Sequence, residues 1–457
     1  MRSSHSAGSV SVRFDEESLV SCAGLVPMLR LAEGIGLGVL IDERVDLGMA
    51  VGANTDAKAL SVVAGMVAGA DSIDDLDVIR HGGMGRLFDR VRAPSTCGSW
   101  LRGFTHGHAR QLASAAGEAL VRLAGRVPSL LAGVDRLAFV DIDAKIKRTY
   151  GHRKQGSGFG YTGVRGLNHL IATLSSPVCA PVILTARLRG GTCDSRRGAA
   201  SMITEAIGLA RRAGATGMIV VRADSAFFTG PIIAAIRAAG ASFSVTAQKN
   251  VATQAVIDRI GEDDWTEIAY RHPIPDPDTG ELITHAQIAE TTLTAFVNTT
   301  QNPGRQVTAR LLVRRTPRNK RNDQGELFRA WNYHAIFTDT GFDLPTADQH
   351  HREHAIIEQV FADLNDSALA HFPSGRFPAN HAWLILACLT HNLLRAAGCL
   401  ASVFHAKART GTLRRHLITI PARIIRTARR ITLRLPTNWP WQASYQGLFT
   451  ATHTRTP

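Results

Sequence analysis

Cysteine is scarce and unpatterned in this sequence. The six residues, Cys22, Cys97, Cys179, Cys193, Cys388 and Cys399, include no C-x-x-C pair, which argues against a zinc ribbon or a disulfide framework. Charged residues make up only 20% of the chain and apolar ones 45%, so wholesale disorder is excluded. Long uninterrupted apolar runs are also missing. The opening MRSSHSAGSVSVRFDEESLV has no apolar signal-peptide core. The most apolar late stretch, Ala382 to Phe404, is broken by His391, Asn392 and Arg395. Three such groups are costly in a lone bilayer span, so a buried helix and a cytoplasmic protein with no membrane partner are expected. The sharpest deficit is of acid. After Asp366 the last 91 residues hold no Asp or Glu but twelve Lys and Arg, within a chain of net charge +14. A solubility requirement would mix the signs, so this tail reads as a surface for a polyanion.

What is present divides the 457 residues into several regions, enough for two to four domains. Residues 1–132 carry apolar side chains at three-to-four spacing, as in SLVSCAGLVPMLRLAEGIGL and ARQLASAAGEALVRLAGRV, and read as a helical domain for DNA binding or dimerisation. From Arg136 the period shortens. RLAFVDIDA, LNHLIATLSS and APVILTARLRGG read as strands, followed by a helix (SRRGAASMITEAIGLARRAGA), a strand (TGMIVVRADS), a helix (PIIAAIRAAGA) and a strand (SFSVTAQ). This β-β-β-α-β-α-β order predicts an α/β fold, a mixed sheet with flanking helices of the ribonuclease-H-like arrangement, over 133–249. Residues 250–335, with alternating stretches and the turn DPDTGE at Asp276 to Glu281, read as an all-β insertion. The strand AWNYHAIFTD and one long helix from near Thr346 through HREHAIIEQVFADLND complete the sheet domain over 336–404, and 405–457 form the basic tail. There is no internal repeat.

Four acids stand out. Asp141 and Asp143 lie two apart on one face of the first strand, Asp224 ends the fourth, and Glu358 sits in the late helix. Strand ends of such sheets are where sites collect. Carboxylates converging there repel one another unless a cation neutralises them, and an oxygen-rich donor set suits Mg²⁺, with Mn²⁺ as substitute. Two such ions flanking a phosphodiester activate the attacking oxygen and stabilise the leaving one. His351, His354, Glu358 and Asn365 fall at i, i+3, i+7 and i+14, one stripe of a continuous helix, and no HExxH motif points to zinc.

These stretches resemble a known family. VDIDAKIKRTYGHRKQGSGFGYTGVRGLN (Val140 to Asn168), VRADSAFF (Val221 to Phe228), HREHAIIEQVFADLNDSALAHFPSGRF (His351 to Phe377), PARIIRTARRITLRLPTNWPW and APSTCGSWLRGFTHGHARQL are similar to DDE transposases of bacterial insertion sequences, most closely the thirteen-eighty group, related to piggyBac-type transposases. The resemblance implies a catalytic and metal-binding triad of Asp143, Asp224 and Glu358, with Asp143 chosen over Asp141 because the family's first Asp lies eight residues before the Gly that is here Gly151. It also implies binding of the element's terminal inverted repeats and of target DNA, strand cleavage followed by 3′-OH joining, and a homodimer acting at the nucleoid. The sequence departs from the family where Tyr, Arg and Lys accompany the Glu: those positions hold His351, His354 and Asn365. The alternatives are therefore a decayed copy that only binds DNA, or a nuclease without strand transfer.

Several cations and aromatics are candidates for DNA contact. His351, Arg352 and His354 flank the Glu, while Tyr161 and Arg165 lie in the GFGYTGVRGLN loop. Arg314 and Arg315 belong to the acid-free GRQVTARLLVRRTPRNKR, read as a β ribbon tracking phosphates. Arg196 and Arg197 precede a helix, where positive charge suggests a nearby phosphate. In the tail Arg423, Arg426, Arg429, Arg430 and Arg434 recur at mainly three-to-four spacing opposite Ile424, Ile425, Ile431 and Leu433, which predicts a helix with one face on DNA. Trp265 is the candidate for stacking on an extruded base.

Overall fold

The alternation in LAFVDIDAKIKR becomes strand β1 (Leu137–Arg148) in the computed structural model, with Ala138, Val140 and Ile142 buried on one face and Phe139, Asp141 and Asp143 on the other. The structure describes residues 4, 9–151, 153–275, 282–297, 306–321, 327–428 and 430–454. The side chains of 49, 50, 270–275, 283, 318–321 and 327–330 lie outside the described set. The turn expected at Asp276 to Glu281 and the cations Arg305, Arg318, Lys320, Arg321 and Arg429 are therefore outside it as well.

Strand β2 (Arg165–Ser175) pairs antiparallel with β1, and β3 (Val182–Arg189) antiparallel with β2. Helix α1 (Ala199–Arg212) buries Met202, Ile203, Ala206, Ile207 and Ala210 along one stripe and leads to β4 (Met218–Ala223), parallel to β1. Helix α2 (Gly230–Ala238), with proline in its first turn, leads to β5 (Ser242–Thr246), parallel to β4. The spatial order is β3-β2-β1-β4-β5. The central strands are nearly continuous apolar runs because helices cover the sheet.

The 250–335 stretch begins with a short helix, Val251–Ile257, and then supplies β6 (Thr266–Pro275), β7 (Leu282–Ala295), β8 (Val307–Arg321) and β9 (Leu327–Thr338). These strands do not form a sheet of their own. The end of β9 pairs antiparallel with β5 through Ile336, Phe337 and Thr338, and β8, β7 and β6 follow in succession, extending the same sheet.

Two helices follow where one was expected. Asp343 caps α3 (Leu344–Arg352), accepting from the Thr346 amide, and a tighter 3₁₀ turn, Glu353–Ala355, separates it from α4 (Ile356–Asn365). The turn changes the angular step per residue, so the i, i+3, i+7, i+14 stripe is not one face.

The chain forms two compact units: residues 116–362, containing the sheet, and residues 1–115 together with 363–457. In the second unit the helices Leu25–Gly34, Thr55–Ala68 and Pro94–Arg102 pack on Phe377–Ala401. This helix is long and apolar enough to cross a membrane, but its most apolar window is 83% buried within the protein. Its Trp383 indole donates to the Ala368 carbonyl at 2.6 Å.

The tail corrects the sequence reading. The predicted arginine helix is a β hairpin, Ala422–Thr427 paired with Arg430–Arg434, and Leu19–Val20 adds a third strand. β-Branched Ile424, Ile425, Thr427, Ile431 and Thr432 favour the extended form, and burial alternates from Ala422 to Ile424, the period of a strand.

Candidate active site

The parallel ladder of β1 and β4 registers Asp141 beside Arg222 and Ile142 beside Ala223. Asp143 and Asp224 are the next residues on the two strands, whose backbones run about 5 Å apart. Two carboxylates thus share the end of one ladder.

Asp141 is fully committed. Arg222, 1% exposed, donates Nε to Asp141 Oδ1 at 2.7 Å and Nη2 to Oδ2 at 2.8 Å. Its Nη1 donates to the His350 carbonyl at 2.5 Å, and its guanidinium lies 4.2 Å from the Phe139 ring centre. His354 Nδ1 lies 2.9 Å from Asp141 Oδ1, and the Ser175 hydroxyl donates to Oδ2 at 3.1 Å. Burial pushes the Asp141 carboxyl up, but the Arg222 charge and these hydrogen bonds hold it below the ordinary value.

Asp143, on the same face, has no cation of this kind among the described residues. Burial pushes its carboxyl up to about 6, the negative charges of Asp224 and Glu358 add to the rise, and the Ala144 amide and His354 oppose it. Asp224 caps the turn Ser225–Phe227 by accepting from the Ala226 amide at 2.9 Å, yet burial leaves its carboxyl raised. Glu358, in the first turn of α4, forms an ion pair with Lys145. Lys145 shares the Asp143 face of β1, and its Nζ lies 5.1 Å from the Phe361 ring centre.

Among the described residues no three His, Cys, Asp or Glu side chains are grouped closely enough to hold a metal ion as they stand. The donor chemistry nevertheless fits a hard divalent ion. Asp143 is destabilised as an anion by its burial first and then by the charges of both other acids, a condition a bound cation relieves. Asp143, Asp224 and Glu358 would hold it, Glu358 by exchanging Lys145 for the ion.

Several sequence-predicted contacts have other partners. His351 is buried, with the Ser244 and Thr246 hydroxyls at 2.9 and 3.0 Å from its two ring nitrogens, and burial lowers its imidazole to about 3. Neutral and enclosed, it cannot hold a phosphate. Arg314 and Arg352 both bond the buried Asp348, at 3.0 and 2.8 Å. Arg315 forks onto Glu262 at 2.9 and 2.6 Å, donates to Gln287 and lies between the Trp265 and Trp331 rings at 4.1 and 4.4 Å. It is a buried strut, not a phosphate contact, and it occupies the Trp265 face that a base would need. Arg196 is neutralised by Asp194, so no phosphate is needed to explain its charge. Tyr161 is 87% exposed, and Arg165 donates to the Gly151 carbonyl at 2.8 Å. Arg426 and Arg430 are exposed on the tail hairpin.

Arg222 and Lys145 were not singled out in the sequence. The signal for Arg222 was an arginine inside an apolar strand, which demands a buried counter-ion. For Lys145 it was the i+2 spacing from Asp143, placing a cation on the acid's own face.

Two outcomes follow from this geometry. Arg222→Met strands a buried carboxylate and lowers unfolding free energy in urea by about 3–5 kcal/mol, whereas the double change with Asp141→Leu recovers most of the loss. For Asp143 the folded pKa is raised, so its contribution to stability is full below about pH 4 and is lost as pH rises through about 6. In chelator, wild type therefore loses up to about 3 kcal/mol relative to Asp143→Asn between those limits; parallel urea midpoints would contradict the assigned environment.

Residues 2–455 match the family model described as "Transposase DDE domain group 1". No curated protein matches the chain. With a match over nearly its full length, and with acids from two neighbouring strands and a later helix, the chain belongs to the DDE-domain transposases, enzymes that act on DNA with divalent metal ions.

Proposed function

We propose that the protein is the transposase of a bacterial insertion sequence of the thirteen-eighty group, related to piggyBac-type transposases. It binds its element's terminal inverted repeats as a homodimer at the nucleoid, in the cytoplasm, hydrolyses a phosphodiester there and joins the freed 3′-OH to target DNA. The strand order β3-β2-β1-β4-β5, with its antiparallel and parallel pairs, supports a ribonuclease-H-like catalytic domain over 133–249, interrupted by the β-rich 250–335 and resumed from 336 to 362, where the compact unit that holds the sheet ends; 363–404, expected in this domain, belong to the unit of the N-terminal helices. Residues 1–132 would serve DNA binding and dimerisation, and 405–457 would carry the basic tail.

One observation carries the reading. Of the two aspartates on one face of β1, Asp141 is consumed by Arg222 and His354, while Asp143 lies beside Asp224 and feels the charge of Glu358. Asp143, Asp224 and Glu358 are therefore the triad of the proposal, holding Mg²⁺ or Mn²⁺. Bound there, divalent ions would supply Lewis-acid stabilisation of the charge that develops on the phosphate. Water oxygen attacks phosphorus and the 3′ oxygen leaves with a proton; the resulting 3′-OH then attacks a target phosphodiester, its oxygen bonding to phosphorus as the target's own 3′ oxygen leaves and takes up the proton. His354, whose Nδ1 lies 2.9 Å from Asp141 Oδ1, sits within electrostatic reach of both Asp143 and Asp224. Lys145, once released from Glu358, offers an ammonium to a phosphate oxygen, a role the resemblance would give to a lysine where Asn365 stands.

The reading is tested with labelled element ends in Mg²⁺, Mn²⁺ or chelator, scoring cleaved and joined products. Asp143→Ala, Asp224→Ala and Glu358→Ala should each reduce cleavage by about a thousandfold, the scale of several kcal/mol of lost charge stabilisation. Wild type that binds the ends but cuts with neither ion would assign a decayed, DNA-binding copy; cutting without joining would assign a nuclease. Because Lys145 competes for Glu358 across a solvent-exposed pair worth about 1 kcal/mol at most, Lys145→Met should lower the half-saturating Mg²⁺ concentration by up to about fivefold. An unchanged requirement would mean that Lys145 does not compete.

A further inference from the structure

The segment joining β1 to β2 carries a surface that the triad does not use. Tyr150, Phe159 and Tyr161 are 74%, 68% and 87% exposed, three large aromatic side chains in water within twelve residues. Single exposed apolar residues are ordinary, but a cluster marks a contact surface. The sequence around it is cationic: from 144 to 193 there is no Asp or Glu, against eight Lys and Arg.

The backbone beneath the aromatics is held firmly. The Thr149 amide donates to the Arg165 carbonyl, Phe159 pairs with Arg165 and Gly158 with Gly166, so three chain segments lie side by side about 5 Å apart. The Thr149 and Ser157 hydroxyls are bonded, and the Gly191 amide donates to the Gly156 carbonyl at 2.9 Å. At Gly166 and Gly191 a Cβ would lie 2.3 and 2.1 Å from neighbouring carbonyl oxygens, so the segments approach as closely as backbones can. The aromatics are displayed on a preset support.

The register also gives the distance from the acids. β1 and β2 stay paired from Asp143 opposite Ile171 to Arg148 opposite Gly166, five residues or about 17 Å of strand. That length equals about five base steps of stacked DNA. Duplex DNA keeps its base faces inside and offers phosphates, for which Lys and Arg suffice. Exposed aromatic rings among cations match unpaired nucleotides, whose faces are free to stack.

We propose that Tyr150, Phe159 and Tyr161 form a stacking platform for unpaired nucleotides about five positions from the scissile phosphate. The proposal rests on the DNA-cleaving reading of the acids and names the form of DNA engaged beside them. It moves base stacking away from Trp265, whose ring face is taken by Arg315.

The test uses the full-length protein in chelator, so that cutting plays no part, with fluorescein-labelled oligo-dT and a blunt duplex of equal length followed by anisotropy. The triple variant Tyr150→Ala, Phe159→Ala, Tyr161→Ala should weaken oligo-dT binding about a hundredfold and duplex binding less than about threefold, at unchanged melting temperature. Each single variant should lose about three- to tenfold on oligo-dT. Equal losses on both DNAs, or no loss on oligo-dT, would overturn the proposal. So would a change of oligomeric state with oligo-dT binding intact, which would give the patch to a second copy. Since no cleavage is read, failure here leaves the triad's alanine results standing, and failure of the triad leaves this measurement interpretable.

Discussion

The buried pair of Asp141 and Arg222 is the constraint on which the site depends. It joins neighbouring parallel strands, and through the His350 carbonyl and the His354 ring it fastens the α3 end and the following turn to the same point. Burying two charges adds little net stability, because desolvation offsets their attraction. What the pair specifies is register. With Asp141 locked beside Arg222, the next residues to emerge are Asp143 and Asp224, and the 3₁₀ turn sets where α4 presents Glu358.

The result is an electrostatic tension confined to a few residues. Asp141 is satisfied by an internal cation; Asp143, two residues on, is buried beside other acids and its carboxyl is raised. Carboxylates held this close repel one another when ionised, and a divalent ion bound among them relieves that repulsion. Lys145 answers the same need at Glu358 with a solvent-exposed ion pair, weak enough to be exchanged.

Much of this architecture was legible in the sequence because local patterns and tertiary context agreed. The β-β-β-α-β-α-β order followed from changes of period, and the acids drew notice by standing at strand ends. The failures have a common cause: a polar residue's partner is not written beside it. His351 read as a phosphate ligand because two hydroxyls on β5, over a hundred residues earlier in the chain, enclose it. Arg315 and Trp265 read as separate DNA contacts, yet they satisfy each other. In the tail, arginines at three-to-four spacing imitated a helix, while the β-branched residues between them and pairing with Leu19–Val20 decided for a hairpin. The choice between Asp141 and Asp143 stayed open in the residues themselves, since i and i+2 share a face; the Arg222 register distinguishes their surroundings.

The central claim is that Asp143, Asp224 and Glu358 together bind divalent cations. Titration of the intact protein with Mn²⁺, followed by the loss of the free-ion electron paramagnetic resonance signal, tests it without DNA or turnover. Saturable binding is expected in wild type, weakening by about tenfold or more when any one of the three acids is replaced by alanine. Wild-type affinity in all three variants would contradict it.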